Sequence, residues 1–196
     1  MEKEILEPGY CYHIYNRGNN KEDIFIEEKN YIYFLSLIQK YILPIADIYG
    51  YCLLKNHFHL IIRIKEAEQL PEQFRGKIHQ PFSNMFNSYT KSINKVYNRS
   101  GSLFQEHLQR IRIDTENYLK QLVAYVHLNP VKHKFTSDFK SYRYSSYQAY
   151  LSEKLSNLER GYILELFEDK ENFKAFHNES KIKYEGVIKD IDEMDY

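Results

Sequence analysis

Residues 46–64, ADIYGYCLLKNHFHLIIRI, decide the fold. Two runs rich in β-branched, aromatic and aliphatic residues flank the polar pair Lys55-Asn56. Such runs favour extended backbone, and a two-residue polar break between them closes a hairpin. The reading is a strand over Ala46 to Leu54, a tight turn, and a strand over His57 to Ile64. Upstream, the aromatic and β-branched run Tyr10 to Asn16 predicts another strand, ended by the turn signal Arg17-Gly18-Asn19-Asn20. Between them Tyr31, Phe34, Leu37, Ile38, Tyr41 and Ile42 recur at helical spacing, so one amphipathic helix precedes Pro44.

Downstream, Lys65 to Pro81 is polar and reads as a loop. Phe82, Phe86, Tyr89, Ile93 and Val96 then step by three and four residues, a second amphipathic helix closed by Ser100-Gly101-Ser102. Leu103 to Ile113 predicts a fourth strand. Asp114 or Thr115 caps a third helix, from about Glu116 to His127, which Asn129-Pro130 should stop. The order β-α-β-β-α-β-α predicts an α+β, ferredoxin-like (split βαβ) antiparallel sheet with helices on one face, plus an added C-terminal helical tail. Residues 1–150 hold this unit. Residues 151–196 read as an acidic, partly helical extension.

Composition bounds the function. The chain has 196 residues, 43% of them hydrophobic, enough for a core. Apolar runs are too short for a transmembrane helix, and the first residues are too polar for a secretory signal. With only Cys11 and Cys52, neither a disulfide framework nor a cysteine zinc site is expected, which suits a cytoplasmic protein without a membrane partner. Formal net charge is zero, yet it divides into −3 over residues 1–30, +8 over 31–150 and −5 over 151–196. A basic middle suits a nucleic-acid partner, and equally a solvated basic face. Lys91, Lys95 and Arg99 fall on one helical line, and Arg110 and Arg112 follow on the fourth strand. No acid lies between Gln73 and Gln105.

Two features could carry chemistry. His57 and His59 are two apart on a strand, so both imidazoles share one face and can share a divalent metal; two histidines decorating a strand would look the same. Two ligands also leave a metal site incomplete. On the third helix, Tyr125 sits between Gln121 and Asn129 on one face. It is either a nucleophile or one more core tyrosine among 19.

The string Leu53-Leu54-Lys55-Asn56-His57-Phe58-His59-Leu60 resembles the HUH motif of the single-tyrosine transposases. Tyr125-Val126-His127-Leu128-Asn129-Pro130-Val131-Lys132 resembles their tyrosine motif. Tyr12 to Asn20, Gly101 to Gln105 and Ser145-Ser146-Tyr147 resemble further blocks, in the same order. The chain is therefore similar to the small insertion-sequence transposases and the REP-associated tyrosine transposases. The resemblance implies a metal-dependent enzyme that cuts and rejoins single-stranded, hairpin-bearing DNA through a 5′-phosphotyrosine. It implies Tyr125 as nucleophile, and His57 and His59 as ligands of Mg²⁺ or Mn²⁺. Relatives place a Gln one turn after the tyrosine. Here that position is Asn129, and Gln121 is the other candidate third ligand. Arg17, Lys91, Lys95, Arg99, Arg110 and Arg112 are the expected DNA contacts. A homodimer is implied. No Walker-type phosphate loop is present, so no nucleotide cofactor is expected. The competing readings are a module of the same fold that binds single-stranded or hairpin nucleic acid without cutting, and an unrelated metal hydrolase.

Overall fold

The Lys55–Asn56 turn closes the expected hairpin, with Leu54 opposite His57 and Cys52 opposite His59. The computed structural model describes residues 4–106 and 108–183. Its main elements are β1 (Cys11–Arg17), α1 (Glu28–Leu37), β2 (Ala46–Leu54), β3 (His57–Ile64), α2 (His79–Val96), β4 (Gln109–Ile113) and α3 (Glu116–Lys132). The short α4 (Tyr147–Leu151) and α5 (Arg160–Leu166) and the longer α6 (Lys170–Lys183) follow. The sheet order is β2-β3-β1-β4, and all neighbours are antiparallel. This is the split βαβ arrangement: β3 lies between β1 and β2, and β1 between β3 and β4.

Both faces of the sheet are covered. Tyr12 and Ile14 of β1 and Phe58, Leu60 and Ile62 of β3 pack with Phe34 and Leu37 of α1 and Phe82, Met85 and Tyr89 of α2. On the other face, Cys52, Leu54 and Ile61 pack with Leu119, Leu122, Val123 and Val126 of α3 and with Ile163, Phe167 and Phe173 of the tail. The expectation of helices on one face thus holds for α1 and α2 alone. The physical reason is β3, which buries every residue except Arg63. A strand apolar in both alternations cannot leave one face to water. Each of these buried aliphatic and aromatic side chains contributes about 1.5–3 kcal/mol.

Three element boundaries differ from expectation. α3 runs on to Lys132, through Pro130, instead of ending at His127. A proline inside a helix loses one hydrogen bond and crowds the preceding turn. Residues 122–130 are buried without a break, and that packing offsets the loss. β4 is confined to Gln109–Ile113, because Phe104 turns instead to bridge Gly18 and packs in the α1/α2 core. The regular part of α1 stops at Leu37, and a wider π-helical turn over Ile38–Ile42 leads to Pro44. Of the two candidate caps for α3 it is Thr115, whose Oγ1 accepts from the Tyr118 amide at 3.1 Å. Residues 184–196, the end of the expected acidic extension, lie outside the described residues. No described helix is long and apolar enough to cross a membrane.

Candidate active site

The β1–β3 register builds one wall of the site. Tyr15 lies opposite His59 and Arg17 opposite His57, so His13, Tyr15 and Arg17 of β1 share a face with both histidines of β3. The His57 and His59 rings are 5.3 Å apart and nearly perpendicular. His57 Nδ1 lies 2.7 Å from Asn56 Oδ1 in the hairpin turn. An amide oxygen only accepts, so His57 carries its proton on Nδ1 and, when neutral, a lone pair on Nε2. His59 Nδ1 lies 2.9 Å from His13 Nε2. Tyr15 stacks on His13 with centroids 4.8 Å apart.

α3 supplies the opposite wall. Tyr125 meets His59 edge-on at 5.7 Å and His13 at 6.4 Å. Lys132 donates to the Tyr125 hydroxyl at 3.4 Å, its ammonium 5.0 Å from the ring centre. His133, the C-cap of α3, lies 4.7 Å from the His57 ring. Tyr125 and His133 are two helical turns apart, so α3 runs from His59 toward His57. Asn129 falls midway on that line and is fully buried. Its Nδ2 donates to the Tyr125 carbonyl at 3.2 Å. Its Oδ1 accepts no hydrogen bond from any described residue. A buried acceptor left so costs about 1–3 kcal/mol. Gln121 lies one turn the other way along α3, away from His57, and is half-buried.

Among the described residues, no group of three or more His, Cys, Asp or Glu side chains could hold a metal ion. A set able to hold one would have to be mixed, with the imidazoles of His57 and His59 joined by an amide oxygen such as that of Asn129. Two nitrogens and one neutral oxygen suit a divalent ion that keeps several waters, and suit Mn²⁺ better than Mg²⁺, which prefers oxygen ligands. Tyr125 is 0% exposed, so its hydroxyl is closed to a phosphate in this arrangement.

The six expected DNA contacts divide between the two faces. Arg17 lies beside His57. Arg110 and Arg112 pair with Ile14 and Tyr12, which point into the α1/α2 core, so they belong to the opposite face. Arg112 pairs with Glu7 and Asp114 and sits 3.4 Å over the Tyr10 ring; Arg110 donates to the Glu4 carbonyl. Lys91 and Lys95 are exposed on α2, also across the sheet from the histidines. Arg99 pairs with Glu22, a partner distant in sequence.

Sequence reading missed His13, Asn56, Lys132 and His133 as site residues. His133 lies eight residues after Tyr125, so helical period could have placed it on the same face. His13 needed the strand register, which local pattern does not give.

Behind Tyr125, α3 is held by a buried chain. His127 Nε2 lies 2.7 Å from Ser146 Oγ, and His127 Nδ1 lies 2.8 Å from His177 Nε2. His177 Nδ1 lies 2.7 Å from the Phe173 carbonyl, and Ser146 Oγ accepts from the Tyr51 amide. The carbonyl at one end can only accept, so His177 carries its proton on Nδ1, and His127 donates from its own Nδ1. Ser146 then donates to His127. Every group is satisfied with both imidazoles neutral. Burial pushes His127 well below the usual histidine range and His177 down to about 4.

No family model matches the chain, and no curated protein matches it in sequence. The solved structure of a REP-associated tyrosine transposase bound to a REP hairpin is similar over 80% of this chain and 87% of that one, with a TM-score of 0.59 and 14% identity. At that identity the likeness is one of fold: the chain has the α+β fold of that transposase.

Proposed function

We propose that this chain is a metal-dependent strand transferase that cuts and rejoins single-stranded DNA, with Tyr125 as nucleophile. One observation carries the reading: a tyrosine from α3 is packed edge-on against the second histidine of the β3 pair, with a lysine ammonium at its hydroxyl. The fold shared with a hairpin-bound transposase supports it.

Tyr125 Oη forms a bond to phosphorus as the bond from phosphorus to the 3′-oxygen breaks. The phenol proton passes to solvent, and the 3′-oxygen leaves as a hydroxyl. Lys132 holds the phenolic oxygen and stabilises the negative charge that it carries as it attacks and, in the reverse step, as it leaves. His57 and His59, with Asn129 in preference to Gln121, would hold a divalent cation. When bound, it supplies charge neutralisation at the scissile phosphate. The phosphodiester energy stays in the phosphotyrosine, so a second 3′-hydroxyl rejoins the strand without a nucleotide cofactor. Arg17, opposite His57 on β1, would take a phosphate next to the scissile one. Residues 1–150 carry all of these side chains and form the catalytic part, with 151–196 as its extension.

The full burial of Tyr125 favours a second reading, a module that binds hairpin DNA without cutting it. One experiment separates the two. Hairpin-bearing single-stranded DNA is incubated with the protein and Mg²⁺ or Mn²⁺ and resolved under denaturing conditions. The strand-transferase reading expects a covalent protein–DNA adduct, absent with EDTA and absent in Tyr125→Phe, which still binds the DNA. Tight binding without adduct in the parent protein would establish the binding module instead.

A further inference from the structure

We infer that His13 is a positioning residue, which holds His59 with its proton on Nδ1 and so keeps the lone pair on Nε2. By register His13 is opposite Ile61, so it reaches His59 diagonally across the β1–β3 ladder. The two rings lie 17° from parallel, with a 2.9 Å contact from His13 Nε2 to His59 Nδ1. Tyr15 fixes the face of the His13 ring by stacking on it, 27° from parallel. Both histidines are 1% exposed.

Two neutral imidazoles in contact share one proton between the facing nitrogens. If His13 donates, His59 carries its proton on Nε2 and cannot ligate through that atom. If His59 donates, Nε2 holds a lone pair. The neighbouring histidine favours the second arrangement. His57 is already fixed in that form by the Asn56 amide oxygen, so both histidines of the pair are held through Nδ1. A ligating histidine usually donates its other ring N–H to a carboxylate, carbonyl or water; here a second imidazole takes that place. The effect of His13 on metal affinity rests on the strand-transferase reading, but its hold on the His59 tautomer does not.

The test uses full-length protein labelled with ¹⁵N at histidine, free of metal and DNA, at a pH where the imidazoles are neutral. Long-range proton–nitrogen spectra should show His59 protonated on Nδ1. A proton on Nε2 overturns the inference. His13→Phe keeps the stacking on Tyr15 and removes the acceptor. Its His59 should shift toward the Nε2–H tautomer, and its Kd for Mn²⁺ by calorimetry should rise about 10–100-fold at unchanged Tm. His13→Gln, whose amide oxygen accepts from His59, should restore the tautomer and most of the affinity. A His13→Phe protein with the parent's tautomer and Mn²⁺ affinity also overturns it. If His13→Phe fails to fold, the parent's spectrum still decides. A parent that binds no Mn²⁺ but shows His59 protonated on Nδ1 upholds the positioning role and overturns the metal reading alone.

Discussion

His57 and His59 lie side by side, yet different neighbours hold them: an amide from the hairpin turn for one, an imidazole from β1 for the other. Replacing either with Ala should remove cleavage and weaken Mn²⁺ binding at least 10-fold by calorimetry, because the remaining donors cannot displace water from the ion. Asn129→Ala should weaken it as well, and Gln121→Ala should not; the opposite pattern would move the third ligand to Gln121. Gly18, where β1 ends, has a different constraint. A Cβ there would sit 2.1 Å from the Glu22 carbonyl oxygen, a backbone atom that cannot rotate away. Gly18→Ala should therefore cost roughly 2–3 kcal/mol in urea unfolding, and an unchanged midpoint would refute the clash. The spacing of His57 and His59 was legible in the sequence because strand alternation is local. His13 was not legible as their neighbour, because its place depends on which residue of β3 it pairs with.

At the scale of elements, α2 was legible and α3 only in part. α2 buries one stripe, Phe82, Met85, Tyr89 and Ile93, and exposes Lys91 and Lys95, so its period marks both its length and its faces. α3 is buried almost all round from Leu122 to Pro130, which erases the periodic signal, and tertiary packing carries it past a proline that local rules treat as a stop. β4 was overextended because Leu103 and Phe104 are strand-like residues whose burial lies in the α1/α2 core. The position of α2 across the sheet from the histidines gives its basic line a separable role. If Lys91 and Lys95 contact phosphates, replacing both and Arg99 with Ala lowers the log–log salt slope of single-strand binding by about 1.4, at 0.7 per contact. Arg99 adds little, because Glu22 already neutralises it. The rate of adduct formation at saturating DNA should be unchanged. An unaltered slope would assign the line to solubility and leave Arg17 as the phosphate contact.

Across the whole molecule, the sheet separates two cores, and the tail belongs to the one that holds α3. Phe167 and Phe173 pack beside Leu122 and Tyr147, and His177 of α6 reaches through His127 and Ser146 to β2. This docking was not legible in the sequence, since α6 carries a weak pattern and its partner histidine is 50 residues away. It has a pH consequence. Around His177 stand His127, Phe139, Tyr147, Phe167 and Phe173, with no carboxylate among these ring contacts to stabilise an imidazolium. Burial lowers its folded-state value to about 4, against about 6.5 when unfolded. The unfolded chain therefore binds this proton first as pH falls. The contribution of His177 is complete above about pH 6.5 and is lost progressively down to about pH 4, for a total of roughly 3 kcal/mol. His127 is displaced in the same direction and steepens the loss. Urea unfolding at pH 7.5 and 5 should show the parent markedly weaker at the lower pH. His177→Phe, which removes the titrating group and keeps an aromatic ring in the core, should flatten that difference even if it is less stable at pH 7.5. A variant as pH-sensitive as the parent would place the proton uptake elsewhere.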